Sequence, residues 1–291
     1  MTEERYSFPE DGRRIDLHTH TTMSDGSMTP AGLVKHAKAS GLSAVAVSDH
    51  DTADGVNEAV RTGEEIGIEV IPAIELSAQS DTETHILGYF IDPDSPVLRD
   101  AVDEIRRVRT ERIGETCGML REHGISVTLD EVKAVAGGGI LCRAHIARIM
   151  TDKGYSSSPK EAFAEWLNVG RPCYSEAQAL TDTEAVRLIR DAGGDAYLAH
   201  LHLTKKPPEV LDAFVKRLAG EGLSGIEGYY TDYTPEMEAE FRGLARKYGL
   251  KISGGTDFHG TFKPHITIGR GLGSLTIPYA VLEQMKDRAR A

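Results

Sequence analysis

The stretch Ala44-Val45-Ala46-Val47-Ser48-Asp49-His50-Asp51 decides the fold. The run from Ala44 to Ser48 is short, apolar and of the kind that fills a strand buried on both faces. The second half of the stretch offers three side chains of metal-ligand type. A buried strand that ends in ligands points to an α/β domain whose site lies on the carboxyl rim of its strands. Four other stretches repeat the pattern. Asp16-Leu17-His18-Thr19-His20 leaves a strand expected over 14–18, and Glu75 closes one over 69–74. Ala199-His200 ends one over 196–200, and Thr256-Asp257-Phe258-His259 follows one over 251–254. Further strands are expected over 85–90 and 225–229.

Helices separate the strands. Thr29-Pro30 joins an N-cap residue to a proline at the first helical position, and Gly41 supplies a stop. Other helices are expected over 56–66, 184–191, 208–219, 236–248 and 279–288. Between 98 and 166 the strand signals vanish. A charged helix runs to about His123, with shorter helices over 130–136, 143–153 and 159–168, and Gly137-Gly138-Gly139 reads as a flexible joint. The expected architecture is an α/β barrel built discontinuously from 1–95 and 176–291. A small helical insertion domain, 96–175, interrupts it.

The 291 residues are 40% hydrophobic and 27% charged, which suits a soluble globular chain. No apolar run approaches the ~18 residues that span a membrane, and the polar, acidic first twelve residues do not read as a signal peptide. Three cysteines, Cys117, Cys142 and Cys173, show no paired spacing, so a reduced, cytoplasmic protein is expected. The formal net charge of −12 argues against long nucleic acid, which needs rows of Lys and Arg. A small phosphorylated partner remains compatible with it, in a monomer or small homo-oligomer.

His18 and His20 are two apart, so on a strand both imidazoles face one ion. Asp25 follows in a loop of small polar residues, and Asp49, His50 and Asp51 bring three possible ligands together. Mixed histidine and carboxylate sets suit Mn, Fe or Zn, and the lack of cysteine argues against structural zinc of the finger type. Any one of these stretches is commonplace. Together they hold six of the eleven histidines (His18, His20, His50, His85, His200 and His259) and indicate a polynuclear centre. His36, His123 and His265 read as surface or packing residues.

The combination resembles the PHP (polymerase and histidinol phosphatase) family of the amidohydrolase-like superfamily. The matching residues are Asp16-Leu-His18-Thr-His20, Asp25-Gly26, Ser48-Asp49-His50-Asp51, Glu75-Leu-Ser77, His85-Ile-Leu-Gly88-Tyr89, Ala199-His200 and Asp257-Phe-His259. Within the insert, Leu141-Cys-Arg143-Ala-His145-Ile-Ala147-Arg148 is similar to the small stand-alone phosphoesterase branch. The resemblance implies a distorted seven-stranded (β/α)7 barrel with two or three divalent ions. His18, His20, Glu75 and Asp257 would hold the first. Glu75 would bridge to a second, held also by His85 and His200, and Asp25, His50 and His259 would hold the third. The insert would cover the active site.

Adjacent ions lower the pKa of a shared water and clamp phosphoryl oxygens. The implied activity is therefore hydrolysis of phosphate esters of small metabolites by a bridging hydroxide. Nucleotide or sugar phosphates are the expected substrates, with cyclic phosphodiesters a close variant. Arg143 is the leading phosphate clamp, since a guanidinium binds phosphate through two parallel hydrogen bonds. His145 is its partner, as phosphate donor or proton donor, and Arg171 is a weaker clamp. Where relatives often carry proline after the residue matching His200, this chain has Leu201-His202-Leu203-Thr204-Lys205-Lys206. His202 there is a candidate acid or base and Lys205 a candidate phosphate contact, so the catalytic candidates are Asp257, His202 and His145. Two alternatives stay open: an exonuclease acting on short nucleic acid ends, and a non-catalytic module.

Overall fold

The structure, a computed structural model, describes residues 12–79, 82, 84–175 and 179–287. The acidic N-terminal stretch read above lies outside the described residues, apart from Gly12, and so do the end of the last expected helix and residue 176, at the expected domain boundary. Seven strands form one sheet in chain order: β1 (Ile15–Asp16), β2 (Ala44–Val47), β3 (Glu69–Ala78), β4 (Thr84–Tyr89), β5 (Asp195–Leu198), β6 (Gly225–Tyr230) and β7 (Lys251–Gly255). Hydrogen bonds from Leu17 N to the Gly254 carbonyl and from His20 N to the Phe258 carbonyl bring the last strand back to the first, so the sheet closes into a distorted barrel. Gly255 permits that closure. A Cβ there would lie 2.2 Å from the Cβ of His18 and 2.4 Å from its backbone nitrogen.

Two details depart from the strand expectations. First, β4 runs antiparallel to both β3 and β5, whereas the other neighbours run parallel. A run of apolar residues carries no mark of strand direction, so the sequence did not disclose this. Second, β3 is longer than expected and continues past Glu75. Its pairing with β2 ends at Pro72, and beyond that point it forms a hairpin with β4. The reversal matters because it puts the start of β4, with His85, on the rim where the parallel strands end.

Helices α1 (Pro30–Ala39) and α2 (Val56–Ile66) follow β1 and β2. Thr29 caps α1 by accepting from Gly32 N, as its place before Pro30 predicts, and Gly67 ends α2 in the left-handed conformation. Helix α3 (Pro96–Glu122) then leaves the barrel, followed by α4 (Leu129–Ala136), α5 (Arg143–Asp152) and α6 (Pro159–Ala162), which runs on into a π turn over Phe163–Leu167. Helices α7 (Asp182–Asp191), α8 (Pro208–Gly220), α9 (Pro235–Tyr248) and α10 (Tyr279–Lys286) complete the fold. Among the described residues no helix is long and apolar enough to cross a membrane.

Helix α3 serves two cores. Its first half gives Leu98, Val102 and Ile105 to the core between barrel and helices. Its second half gives Ile113, Cys117 and Leu120 to a separate core with Val132, Ile146, Met150 and Leu167. The junction is polar and buried. Arg109 donates to Asp51 Oδ2, to Ser77 Oγ at 2.8 Å and to the Leu141 carbonyl at 3.0 Å. Asp51 Oδ1 in turn accepts from Ser77 N. The glycine run is not the free joint expected from its composition. Ile140 N donates to the Met23 carbonyl, and a Cβ on Gly139 would lie 2.5 Å from the Thr22 carbonyl oxygen. The segment between α4 and α5 is thus docked against the loop that carries Asp25.

Arg109→Met should be strongly destabilising, by about 3–5 kcal/mol, because it leaves the Asp51 carboxylate buried without its cation. Chemical denaturation checks this, and a midpoint unchanged from wild type would remove Arg109 as the tie between α3 and the residues at the ends of β2 and β3.

Candidate metal centre

Glu75 is the hub of the rim. Its Oε1 lies 3.0 Å from His85 Nδ1 and 3.0 Å from His200 Nε2. Its Oε2 lies 3.2 Å from His18 Nε2, 3.3 Å from His20 Nε2 and 3.1 Å from His50 Nδ1. Asp257 Oδ1 joins from the turn after β7, 3.1 Å from His20 Nε2. Asp25 Oδ1 lies 3.2 Å from His259 Nε2 and 3.9 Å from His20 Nδ1 and His50 Nε2. All nine expected ligand positions therefore converge on one buried region.

Three groups of potential ligand atoms, each mutually within 4.8 Å, stand out: His20, Asp25, His50 and His259; His18, His20 and Glu75; His50, Glu75 and His85. They overlap more than the three sets implied by the resemblance, because His20, His50 and Glu75 each belong to two. Divalent ions fit this donor set. Despite the short separations, the buried atoms His18 Nε2, His20 Nδ1 and Nε2, Asp25 Oδ1, His50 Nδ1, Glu75 Oε2 and His200 Nδ1 have no hydrogen-bond partner. Buried polar atoms are almost always satisfied. Side chains that crowd together yet aim past one another suit atoms that share cations.

The electrostatics agree. Burial alone would push the Glu75 carboxyl up, but His18, His50 and His85 hold it well below its ordinary value. Asp257 is held down likewise by Lys263, His259 and His18, and Asp25 by His259 and His50, each against burial. Burial opposes a charge on His18, yet Glu75, Glu227 and Asp257 raise its pKa well above the usual imidazole value. Burial dominates at His50 and lowers its pKa. Asp51, His200 and Asp257 also adopt positive φ angles of 52°, 23° and 55°. Non-glycine residues hold such backbone only where the surroundings impose it.

Supporting carboxylates surround the centre. Glu227 is fully buried in β6, where its Oε1 lies 3.0 Å from His18 Nδ1 and its Oε2 accepts from His200 N at 2.7 Å. It fixes the His18 ring so that Nε2 faces Glu75. Glu227 belongs to none of the ligand-bearing stretches of the sequence, yet a charged residue inside Gly225-Ile-Glu-Gly-Tyr229 is a usable signal, since Glu is seldom fully buried without a task. Asp49 and Asp51, counted among possible ligands, are engaged elsewhere. Asp49 accepts from Thr21 N, Thr21 Oγ1 and Ser24 Oγ, shaping the Asp25 loop, and Asp51 holds Ser77 and Arg109. Asp16 accepts from Thr256 N, Thr256 Oγ1 and Gly269 N, tying β1 to the turn after β7. Glu227→Gln cannot accept at both oxygens, so metal affinity should fall about 10–100-fold, as for other outer partners of a ligating histidine. Metal titration reads this, and an unchanged affinity would deny Glu227 the role.

A cavity of about 730 Å³ adjoins the centre. Asp257, Thr256, Tyr230 and His145 line it, and Phe163, Phe262, Pro264 and Ile266 give it apolar walls. Arg148, Lys160, Lys263 and His265 line it too. Of the candidates drawn from sequence, Asp257 and His145 stand at this cavity. His145 Nδ1 accepts from Cys142 N, which leaves the ring proton of the neutral form on Nε2, and burial lowers its pKa. Arg143 is placed elsewhere. Its guanidinium donates to the Leu167 carbonyl at 2.8 Å and lies over the rings of Phe163 and Tyr174. His202 packs against the rings of Tyr230 and Tyr233, whereas Lys205 and Arg171 are exposed and do not line the cavity. His265, read as a surface or packing residue, is at the cavity wall, and Lys263 was not singled out at all. Lys263 lies only six residues after Asp257, but a lone lysine in a loop gives no sign of where its ammonium points.

The comparisons agree with this geometry. The family model described as "PHP domain" matches residues 16–171. A 5'-3' exoribonuclease of Haemophilus influenzae is 32% identical over 85% of this chain and 90% of its own length. A 3',5'-nucleoside bisphosphate phosphatase of Chromobacterium violaceum is 30% identical over 84% of this chain and 87% of its own. A crystal structure from Bifidobacterium adolescentis, of a protein named for metal-dependent phosphoesterase activity, superposes with a TM-score of 0.83 at 27% identity, covering 95% of this chain and 96% of the other. With a family model that matches more than half of the chain, a relative 32% identical over most of both lengths and a solved structure of the same fold, the chain belongs to the PHP domain family.

Proposed function

We propose that this protein is a metal-dependent hydrolase of phosphate esters that acts on small phosphorylated metabolites, foremost nucleotides. One observation carries the reading. Asp257, which approaches the same His18 and His20 imidazoles as Glu75, lines a cavity of about 730 Å³ whose walls combine aromatic and cationic groups. A pocket of that size suits a ligand of nucleotide dimensions. Apolar walls suit a base or sugar, while Arg148 and Lys160 suit phosphate charge. The two named relatives support the class, since both names denote cleavage of phosphate esters.

The nine side chains His18, His20, Asp25, His50, Glu75, His85, His200, Asp257 and His259 would hold two or three divalent ions, Mn, Fe or Zn. Such ions lower the pKa of bound water and offset phosphoryl charge. The chain's own groups do the rest. Glu227 orients His18, Asp257 joins the ligand cluster to the cavity, and the Phe163 and Phe262 walls exclude water from the organic part of the ester.

Degradation of short oligonucleotides from one end is the second reading, favoured by the exoribonuclease relative. The net charge of −12 weighs against a long polyanion. Phosphate release should be measured with Mn, Fe or Zn on nucleoside bisphosphates, sugar phosphates, cyclic phosphates and short 5'-phosphorylated RNA. Fastest turnover of a bisphosphate supports the first reading, and faster turnover of RNA reverses the order. Silence across the whole panel removes both.

A further inference from the structure

The two oxygens of Asp257 face different neighbours. Oδ1 is directed at the ligand cluster, 3.1 Å from His20 Nε2 and 3.4 Å from His259 Nδ1. Oδ2 faces the cavity, where it accepts from Tyr230 OH at 2.8 Å and from Lys263 Nζ at 2.6 Å. Tyr230 and Lys263 both line the cavity, so they mark the line along which the ligand cluster gives way to the pocket. The Tyr230 hydroxyl has a single proton, and Asp257 takes it. An ammonium has three, so Lys263 keeps two N–H bonds for other acceptors. With 38% of its side chain accessible, it presents them to the cavity.

A phosphate ester bound here must straddle that line. Its phosphoryl group belongs with the ligand cluster and its organic part with the apolar walls. The bridging ester oxygen then lies between them, beside Lys263.

We propose that Lys263 is a catalytic residue that stabilises the leaving oxygen of the substrate, an inference that rests on the phosphoesterase reading above. As the oxygen of water bonds to phosphorus, the bond from phosphorus to the ester oxygen breaks and its electron pair stays on that oxygen. Lys263 donates a hydrogen bond to the developing alkoxide and keeps its own proton. The proton released by the attacking water reaches the alkoxide through solvent, giving alcohol and phosphate. The neighbouring carboxylate holds the ammonium in place beforehand, so little reorganisation is needed as charge develops.

The test compares wild type, Lys263→Met and Lys263→Arg, all loaded with metal, on aryl and alkyl phosphates of increasing leaving-group pKa. Metal content and the Kd for inorganic phosphate are measured in parallel. For an alkyl ester, Lys263→Met should lower kcat about 10²–10³-fold, the loss typical of one donor to a developing oxyanion. For 4-nitrophenyl phosphate, whose leaving group needs little help, the loss should stay below about tenfold. Lys263→Arg should recover most of the alkyl-ester rate, and phosphate affinity and metal content should match wild type. An equal loss across all leaving groups, a loss of metal, or a phosphate Kd weakened as much as kcat would overturn the inference. If wild type itself cleaves none of these esters, the phosphoesterase reading fails first, and the two failures are told apart.

Discussion

Exchanging Glu75 for glutamine is expected to lower kcat/KM about a thousandfold and to reduce bound metal. Glu75 lies within 3.0–3.3 Å of imidazole nitrogens on five histidines, which no other carboxylate at the rim does. Glutamine keeps the shape and loses the charge that draws cations into a fully buried position. Removing several kcal/mol of stabilisation of transition-state charge gives roughly three powers of ten in rate, because each 1.36 kcal/mol is tenfold. Elemental analysis alongside steady-state kinetics separates lost metal from lost chemistry. His123→Ala is a suitable control, since His123 packs near Trp166 in the insert, away from the rim. A Glu75→Gln protein with its full metal complement and a rate within tenfold of wild type would contradict the assignment.

Chelation should lower thermal stability, and the loss should grow with pH. A ligand present at 100–1,000 times its Kd stabilises the folded chain by about 2.7–4.1 kcal/mol, which for a chain of this size is a Tm change of roughly 5–15 °C. The sign of the pH effect follows from the shifted groups. His18 and His200 have raised pKa values in the folded chain without metal. Their contribution to its stability is complete below the unfolded value near ~6.5 and is lost as pH rises through the folded values. Metal requires the same imidazoles unprotonated, so it binds more tightly over the range where that contribution fades. Asp25, Glu75 and Asp257 have lowered pKa values, so their contribution is present above the ordinary carboxylate range and is lost as pH falls through the folded values. The gap in Tm between metal-loaded and chelated protein should therefore widen from pH 6 to pH 8. Calorimetry at several pH values reads it directly, and a gap that narrows over that range would count against imidazole ligation.

Much of the fold is local in origin and was legible. The Thr29-Pro30 cap and the apolar runs set α1, α2 and β2 close to their expected limits, because caps and burial patterns act within a few residues. The direction of β4 and the length of β3 were not, because a strand is defined by its partners. Docking of Gly139 against Thr22 was hidden for the same reason. Composition reports how freely a glycine bends and nothing of what it leans on.

By itself the sequence determined which residues can hold metal. The imidazoles and carboxylates are chemically distinctive, and they fall beside strand ends that their apolar neighbours announce. Only the tertiary structure decided which side chains do different work. It buried Glu227 behind His18, turned Asp49 and Asp51 into braces, placed Arg143 against Leu167 and brought Lys263 onto Asp257. Each of those outcomes depends on where a side chain points after distant segments meet. Side-chain type is written in one residue, whereas its direction is set by packing across the whole barrel.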